Sequence, residues 1–259
     1  MLNEIINNKL KEINSLKDTL DISSIDMSSN LKNDFYKKLL DNQNNKKNSI
    51  IAEIKRKSPS KGMLDANLSV AKTVSEYTSG GAACISVLTE RDYFNGSNED
   101  LLKAKNATNL PLLRKDFMLD PIQIYESKLL GADCVLLIVS ALSKSKYREM
   151  FDLAFELNLD VLTEVHDQSE LDFALSQGSK LIGINNRNLK TFDVDINTSI
   201  KLSNTINDSD IVVVSESGIQ NRNDITTLNI TGIYTFLVGE HLVKSKDIIN
   251  ELGVLINGK

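Results

Sequence analysis

The chain has 259 residues, 41% of them apolar and 25% charged, with a formal net charge of −5. That is enough to bury one large core, and the acidic balance argues against a general nucleic-acid binder. No apolar run approaches the roughly 20 residues that span a bilayer, and Met1-Leu2-Asn3-Glu4 lacks the basic start of a signal peptide. A cytoplasmic protein with no membrane and no nucleic-acid partner is therefore expected.

Residues 1–40 read as helical and polar, with Ile5, Ile6, Leu10, Ile13 and Leu16 forming a narrow apolar stripe. Asp41 to Asn48 is polar and has linker character. A helical extension and linker over 1–48 is thus expected to precede a body over 49–259.

The body opens on Ile50-Ile51-Ala52-Glu53-Ile54-Lys55, an apolar run of strand length with two charges inside it. Alternate side chains of a strand share a face, so Glu53 and Lys55 project together. Burying charges costs several kcal/mol each, so they are not placed there for stability. The plainer reading is a structural ion pair at the end of an edge strand. The run continues into Ser58-Pro59-Ser60-Lys61-Gly62, a cation-bearing loop suited to an anionic ligand.

Further strands are expected at 83–88, 110–115, 133–139, 160–165, 180–185, 211–216 and 233–238, after the first at 49–55. Most are rich in β-branched residues and Leu, the pattern of parallel strands covered on both faces. Amphipathic stretches lie between them, including Leu68–Thr78, Pro121–Leu130, Lys144–Leu157, Ser169–Ser176 and Asp224–Leu228. Pro121 after Asp120 marks a helix start with Asp120 as N-cap. Cys84 and Cys134 fall inside apolar runs without metal-ligand spacing and read as small buried hydrophobes in a reducing compartment.

A glycine closely followed by an apolar strand recurs at Gly81, Gly131, Gly178 and Gly232, at intervals of 50, 47 and 54 residues. Each interval suits two strand-plus-helix units, with the glycine in the left-handed turn that ends a helix. Eight such units predict a (β/α)8 TIM barrel with an N-terminal helical extension. An open doubly wound sheet is the alternative, but no Gly-x-Gly-x-x-Gly turn follows the first strand.

Active sites of such barrels lie at the C-terminal ends of the strands. Six of the eight predicted strands end in polar or ionisable residues there: Glu53 and Lys55, Arg114-Lys115-Asp116, Glu164 and His166, Asn185-Asn186-Arg187, Glu216-Ser217, and Gly239-Glu240. Strands two and four end more mildly, in Thr89-Glu90 and Ser140. The convergence predicts an enzyme. Three carboxylates and two lysines supply acids and bases without a metal or cofactor. A lysine among them can donate a proton at neutral pH, more so where burial lowers its pKa. Ser217-Gly218 and Gly239-Glu240 suit a phosphate bound after strands seven and eight. Lys115 as a Schiff-base nucleophile is a rival reading. His166 is read as a surface or supporting histidine in preference to a base, and His241, placed at the start of the last helix, as uninvolved.

Residues 51–62 resemble the first-strand signature of the indole-3-glycerol phosphate synthase family. The likeness continues through Ser86–Glu90 with Tyr93-Phe94-Asn95-Gly96, Leu112–Phe117, Thr163–His166, Gly183–Leu189, Val214–Ile219 and Phe236–Glu240, in the family's order. The leading helical segment is similar to that family's extension, which caps the barrel. The resemblance implies conversion of 1-(2-carboxyphenylamino)-1-deoxyribulose 5-phosphate to indole-3-glycerol phosphate, CO2 and water, in tryptophan synthesis.

It also implies Lys115 as general acid in ring closure, with Lys55, Glu53 and Glu164 serving dehydration in roles the sequence does not apportion. Asn185 and Arg187 would orient the substrate carboxylate, and Glu216 with Ser217 would complete the polar floor. Lys55, Ser58, Gly218, Gly239 and Glu240 would hold the phosphate, and Phe94 and Leu237 would wall the ring. His241 stands where the family usually has a small residue. Phosphoribosylanthranilate isomerase, which shares the fold, uses a Cys/Asp pair, and no cysteine lies at the end of strand one. A barrel kept as an interaction partner for a tryptophan-pathway enzyme is the non-catalytic alternative.

Overall fold

In the computed structural model, residues 2–24, 34–188 and 191–258 are described. Leu189, the last residue of one resemblance block, and residues 25–33 of the predicted helical lead lie outside them. Eight parallel strands close into a barrel: β1 (Ser49–Ile54), β2 (Cys84–Leu88), β3 (Leu112–Lys115), β4 (Cys134–Ile138), β5 (Asp160–Val165), β6 (Leu181–Asn185), β7 (Val212–Glu216) and β8 (Thr235–Val238). Closure comes from β1, which pairs with β8 from Ser49↔Thr235 and with β2 from Ile51↔Cys84.

The barrel helices are α3 (Val70–Ser79), α4 (Asn98–Ala107), α5 (Pro121–Leu129), α6 (Lys144–Glu156), α7 (Gln168–Ser176), α8 (Asn197–Ser203), α9 (Arg222–Asn229) and α11 (Ile248–Asn257), with a four-residue α10 (Glu240–Val243) before the last. His241 therefore belongs to α10 and not, as expected, to the last helix. Asp120 caps α5 as predicted, accepting the Ile122 N–H at 3.1 Å in a capping box with Gln123. The four repeating glycines all adopt positive φ, between 79° and 88°, the left-handed turn their positions required.

Strand alternation separates two cores. Outward residues such as Ile50, Ala52, Val87 and Ile182 pack under the helices, while Ile51, Leu113, Leu136, Leu162, Val214 and Leu237 fill the barrel. Both cysteines are fully buried in that inner core, and burial pushes their thiols up.

The lead divides into α1 (Leu2–Thr19) and α2 (Phe35–Asn44). The expected linker at 41–48 is thus half helix, because Phe35 and Leu39, both fully buried, anchor α2 beneath the N-terminal ends of the strands. The Tyr36 N–H donates to Asp160 at 2.9 Å, tying α2 to the start of β5. Helix α1 lies at the opposite end. Its Lys9 ammonium, almost fully buried, pairs with Asp116 just past β3 at 2.9 Å, and Lys17 pairs with Asp120 at 2.5 Å. One end is plugged and the other is roofed.

Candidate active site

At the roofed end the strands place five polar side chains around one point. Glu53 projects from β1, Lys115 ends β3, Glu164 comes from β5, Asn185 ends β6 and Glu216 ends β7. The Lys115 Nζ lies 3.2 Å from Glu216 and 3.8 Å from both Glu53 and Glu164. The three carboxylates are at most 3% exposed, so they face the ammonium and not solvent. Lys55 Nζ lies 2.5 Å from Glu53, the same-face pair that strand alternation predicted. Asn185 donates to Glu164 at 3.1 Å and accepts from the Ser217 hydroxyl at 2.9 Å.

Two glycines make room for this cluster. A Cβ on Gly183 would come within 2.1 Å of Glu216 Oε1, and one on Gly239 within 2.4 Å of Glu53 Oε1. Any side chain at either position would displace a carboxylate.

Burial alone would lower the Lys115 pKa, which is the direction expected from sequence. The three carboxylates around it outweigh burial and raise it instead. Burial likewise disfavours the ionised forms of Glu53 and Glu164. Lys55 and Lys115 nevertheless hold Glu53 below its ordinary value, and His166, Lys115 and Asn185 do the same for Glu164. Glu216 goes the other way: burial lifts it above the ordinary range despite Lys115, with Glu164 and Glu53 adding repulsion. One firmly held proton thus sits among carboxyls of unequal acidity, an arrangement suited to acid and base steps at one centre.

These groups form the floor of a cavity of about 670 Å³. Every site residue expected from sequence lines it: Glu53, Lys55, Lys115, Glu164, Asn185, Glu216 and Ser217, with Ser58, Phe94, Arg187, Gly218, Leu237, Gly239 and Glu240. On one side Phe94, Phe117, Leu136 and Ile138 make an apolar wall, where the Phe94 and Phe117 rings stand 6.4 Å apart. Lys55, Ser58, Lys61 and Lys244 make a cationic rim. The Ser58 hydroxyl is buried there without a hydrogen-bond partner in the protein, a costly state for a group with no ligand to meet.

Some polar strand ends do other work. Arg114 turns outward to Glu126 at 2.6 Å, and Glu90 accepts the Tyr93 and Phe94 N–H groups, shaping the loop that presents Phe94. Asn186 is buried among Ser199, Ser215 and the Ser217 carbonyl. Sequence reasoning missed Ile5 of α1, Phe117 and Lys244, all in the cavity wall. Phe117 was within reach, two residues past Lys115; Ile5 was legible as part of the apolar stripe but not as cavity wall, and Lys244 carried no local signal. His241 also reaches the wall, with its ring held 2.7 Å from Glu251 of α11.

The family model for indole-3-glycerol phosphate synthase matches residues 2–255. The chain is 47% identical over 207 residues to the indole-3-glycerol phosphate synthase of Carboxydothermus hydrogenoformans, covering 80% of this chain and 78% of that one. It is 48% identical to those of Acinetobacter baylyi (77% and 74% covered) and Chlorobium chlorochromatii (79% and 79%). Among solved structures it resembles a thiamine phosphate pyrophosphorylase from Pyrococcus furiosus, with a TM-score of 0.60 at 17% identity over 82% of this chain and 94% of that one, a likeness of fold alone. With a matching family model over almost its whole length and relatives near half identity, this chain belongs to the indole-3-glycerol phosphate synthase family, decarboxylating lyases of tryptophan biosynthesis.

Proposed function

We propose that the chain closes the indole ring of 1-(2-carboxyphenylamino)-1-deoxyribulose 5-phosphate with Lys115 as general acid. One observation carries the assignment: a single ammonium ringed by three buried carboxylates on the floor of a cavity with an apolar wall and a cationic rim. Lys55, Ser58 and the Gly218, Gly239 and Glu240 backbone take the phosphate, while Phe94 and Leu237 flank the aromatic ring. Asn185 and Arg187 orient the ring carboxylate above a floor completed by Glu216 and Ser217. Anchoring the remote phosphate holds the reacting ring carbon near the ketone carbon.

As the ring carbon that bears the carboxylate attacks, electrons move onto the ketone oxygen and Lys115 delivers its proton there. Stabilisation of that oxygen is greatest in the transition state, which is where it accelerates the step. The carboxylate then leaves as CO2, and its bonding electrons restore the aromatic ring. Loss of the new hydroxyl as water needs an acid at that oxygen and a base for the proton lost beside it. Glu53, Lys55 and Glu164 share those roles. Glu164, kept ionised by its surroundings, suits the base.

The phosphorylated sugar is the small-molecule partner on this reading, and the free thiols of Cys84 and Cys134 suit a reducing cytoplasm. The reading extends to handing the product to another tryptophan-pathway enzyme, an association that co-sedimentation of the two would test. Among the described residues no helix is long and apolar enough to cross a membrane. The test of the activity is direct: purified protein mixed with the carboxyphenylamino sugar phosphate should develop indole fluorescence, and Lys115→Ala should not. Equal fluorescence from the variant would remove Lys115 from the chemistry.

A further inference from the structure

Two strands on different sides of the barrel carry the same device. On β1, Glu53 is followed two residues later by Lys55, whose ammonium lies 2.5 Å away. On β5, Glu164 is followed two residues later by His166, whose Nε2 lies 3.3 Å from Glu164 Oε1, an ion-pair contact without hydrogen-bond alignment. The spacing aims each carboxylate and its cation to one face. The two pairs differ in one respect: Lys55 lines the cavity and His166 does not. His166 meets the site through Glu164.

A third group fixes the ring. Glu170, in the first turn of α7, accepts both the His166 backbone N–H at 2.8 Å and shares a hydrogen bond with His166 Nδ1 at 3.1 Å. Glu170 is itself placed by Asp167, the N-cap of α7, which accepts its N–H at 2.9 Å. The imidazole is therefore held between two carboxylates, one on each nitrogen, with 15% of its side chain exposed. Glu164 in turn has its two oxygens divided. Oε1 faces His166 and Asn185, and Oε2 faces Lys115.

A neutral imidazole would present a bare lone pair to one of the two carboxylates, so this geometry favours the doubly protonated ring. We propose that His166, clamped by Glu170, is a positioning residue that keeps Glu164 ionised and turned into the cavity as the base of the reaction. The proposal rests on the assignment of Glu164 to the chemistry made above. Burial works against the charged ring, but Glu164 and Glu170 outweigh it and raise His166 to about 10. The other charged groups near Glu164 are Lys115, Glu53 and Glu216, from β3, β1 and β7. Lys115 and the Asn185 amide would remain to oppose protonation of Glu164 if the imidazolium were lost.

The experiment compares single-turnover indole formation by wild type and His166→Gln between pH 8 and 5. Gln keeps size and a donor and deletes the charge. Without the imidazolium Glu164 holds a proton to higher pH, so the ratio of variant to wild-type rate should fall about tenfold at pH 5, the loss expected when the Glu164 pKa comes to lie about one unit above that pH. A ratio constant across that range overturns the proposal, because a merely structural histidine would lower both limbs alike. Should His166→Gln fail to fold, the wild-type ring gives the answer by nuclear magnetic resonance, with His241→Gln separating the two histidine signals. His166 is expected to stay protonated from pH 6 to 8, and a titration midpoint near 6.5 overturns the proposal. Glu164→Gln is the control for the underlying assignment. If that variant keeps wild-type activity, the Glu164 assignment fails; if it is inactive while the His166→Gln ratio stays flat, only the present inference fails.

Discussion

At the scale of single residues the site depends on how near its carboxylates stand to one ammonium. Removing that ammonium should be far costlier to rate than to binding. Lys115→Ala is expected to lower kcat by several orders of magnitude, about what is lost when an acid and its electrostatic stabilisation go together, with product affinity nearly unchanged in a fluorescence titration. A loss confined to KM would assign Lys115 to binding. Gly183→Ala tests the packing that orients the floor. Its Cβ would stand 2.1 Å from Glu216 Oε1, so the carboxylate must swing away. A fall in kcat of about 100-fold is expected, the scale of a 1 Å misplacement, while the far-ultraviolet circular dichroism stays native. Undiminished turnover would show that Glu216 is not needed where it stands.

The same scale shows what could be read without coordinates. Glu53 and Lys55 announced themselves because charge at alternate positions of an apolar strand is costly to bury, which weighed against their plainer reading as a structural ion pair at a strand end, and the pair is in contact. Lys115, Glu164 and Glu216 were legible as strand ends. The direction of the Lys115 shift was not, since it depends on how many carboxylates converge from distant segments, which only closure of the barrel decides. His166 was visible as a residue but not as a bridge, because Glu170 meets it through the start of α7.

At the scale of elements, α1 and α2 have separate tasks that a single extension conceals in sequence. Helix α1 roofs the cavity with Ile5 and is held by the buried Lys9–Asp116 pair beside Lys115. Helix α2 closes the opposite end with Phe35 and Leu39. The apolar stripe of residues 1–20 was legible. The plug was hidden because Asp41 to Asn44 look like linker and only the burial of two residues reveals the helix. Deleting residues 1–20 should therefore raise KM while thermal unfolding moves little. Phe35→Ala should cost about 3–5 kcal/mol of stability, the usual range for emptying a buried aromatic site, measured by urea unfolding, with KM unchanged in the folded fraction. The reverse pattern would exchange the two assignments.

Over the whole molecule the strand count, the parallel order and the four helix-ending glycines were all legible, because eight repeats of one pattern reinforce each other. The short α10 was not, since four residues are too few to show a period. Electrostatics sets how the assembled barrel responds to pH. Against burial, Lys55 holds Glu53 low, and His166 and Lys115 hold Glu164 low. Their contribution is complete above the unfolded value of 4.5 and is lost as pH falls through the folded values. Burial lifts Glu216, whose contribution shrinks as pH rises above 4.5. His166, raised to about 10 from 6.5 by its two carboxylates against burial, adds stability that is complete below 6.5 and lost as pH rises toward 10. Urea midpoints should thus decline on both sides, with the alkaline decline shallower in His166→Gln; identical slopes would contradict the buried imidazolium. Activity should also survive exhaustive EDTA treatment, because Lys115 already occupies the point where the carboxylates meet. Loss restored by added zinc or magnesium would contradict that.

The most direct measurement follows the carbon that leaves. With substrate labelled at the ring carboxylate, a single turnover separates ring closure from dehydration, since CO2 departs between them. Lys115→Ala should release almost no labelled CO2, while Glu164→Gln should release it faster than it forms indole. Wild-type CO2 release from Lys115→Ala would mean that ring closure proceeds without that proton, and the central role given to Lys115 would be wrong.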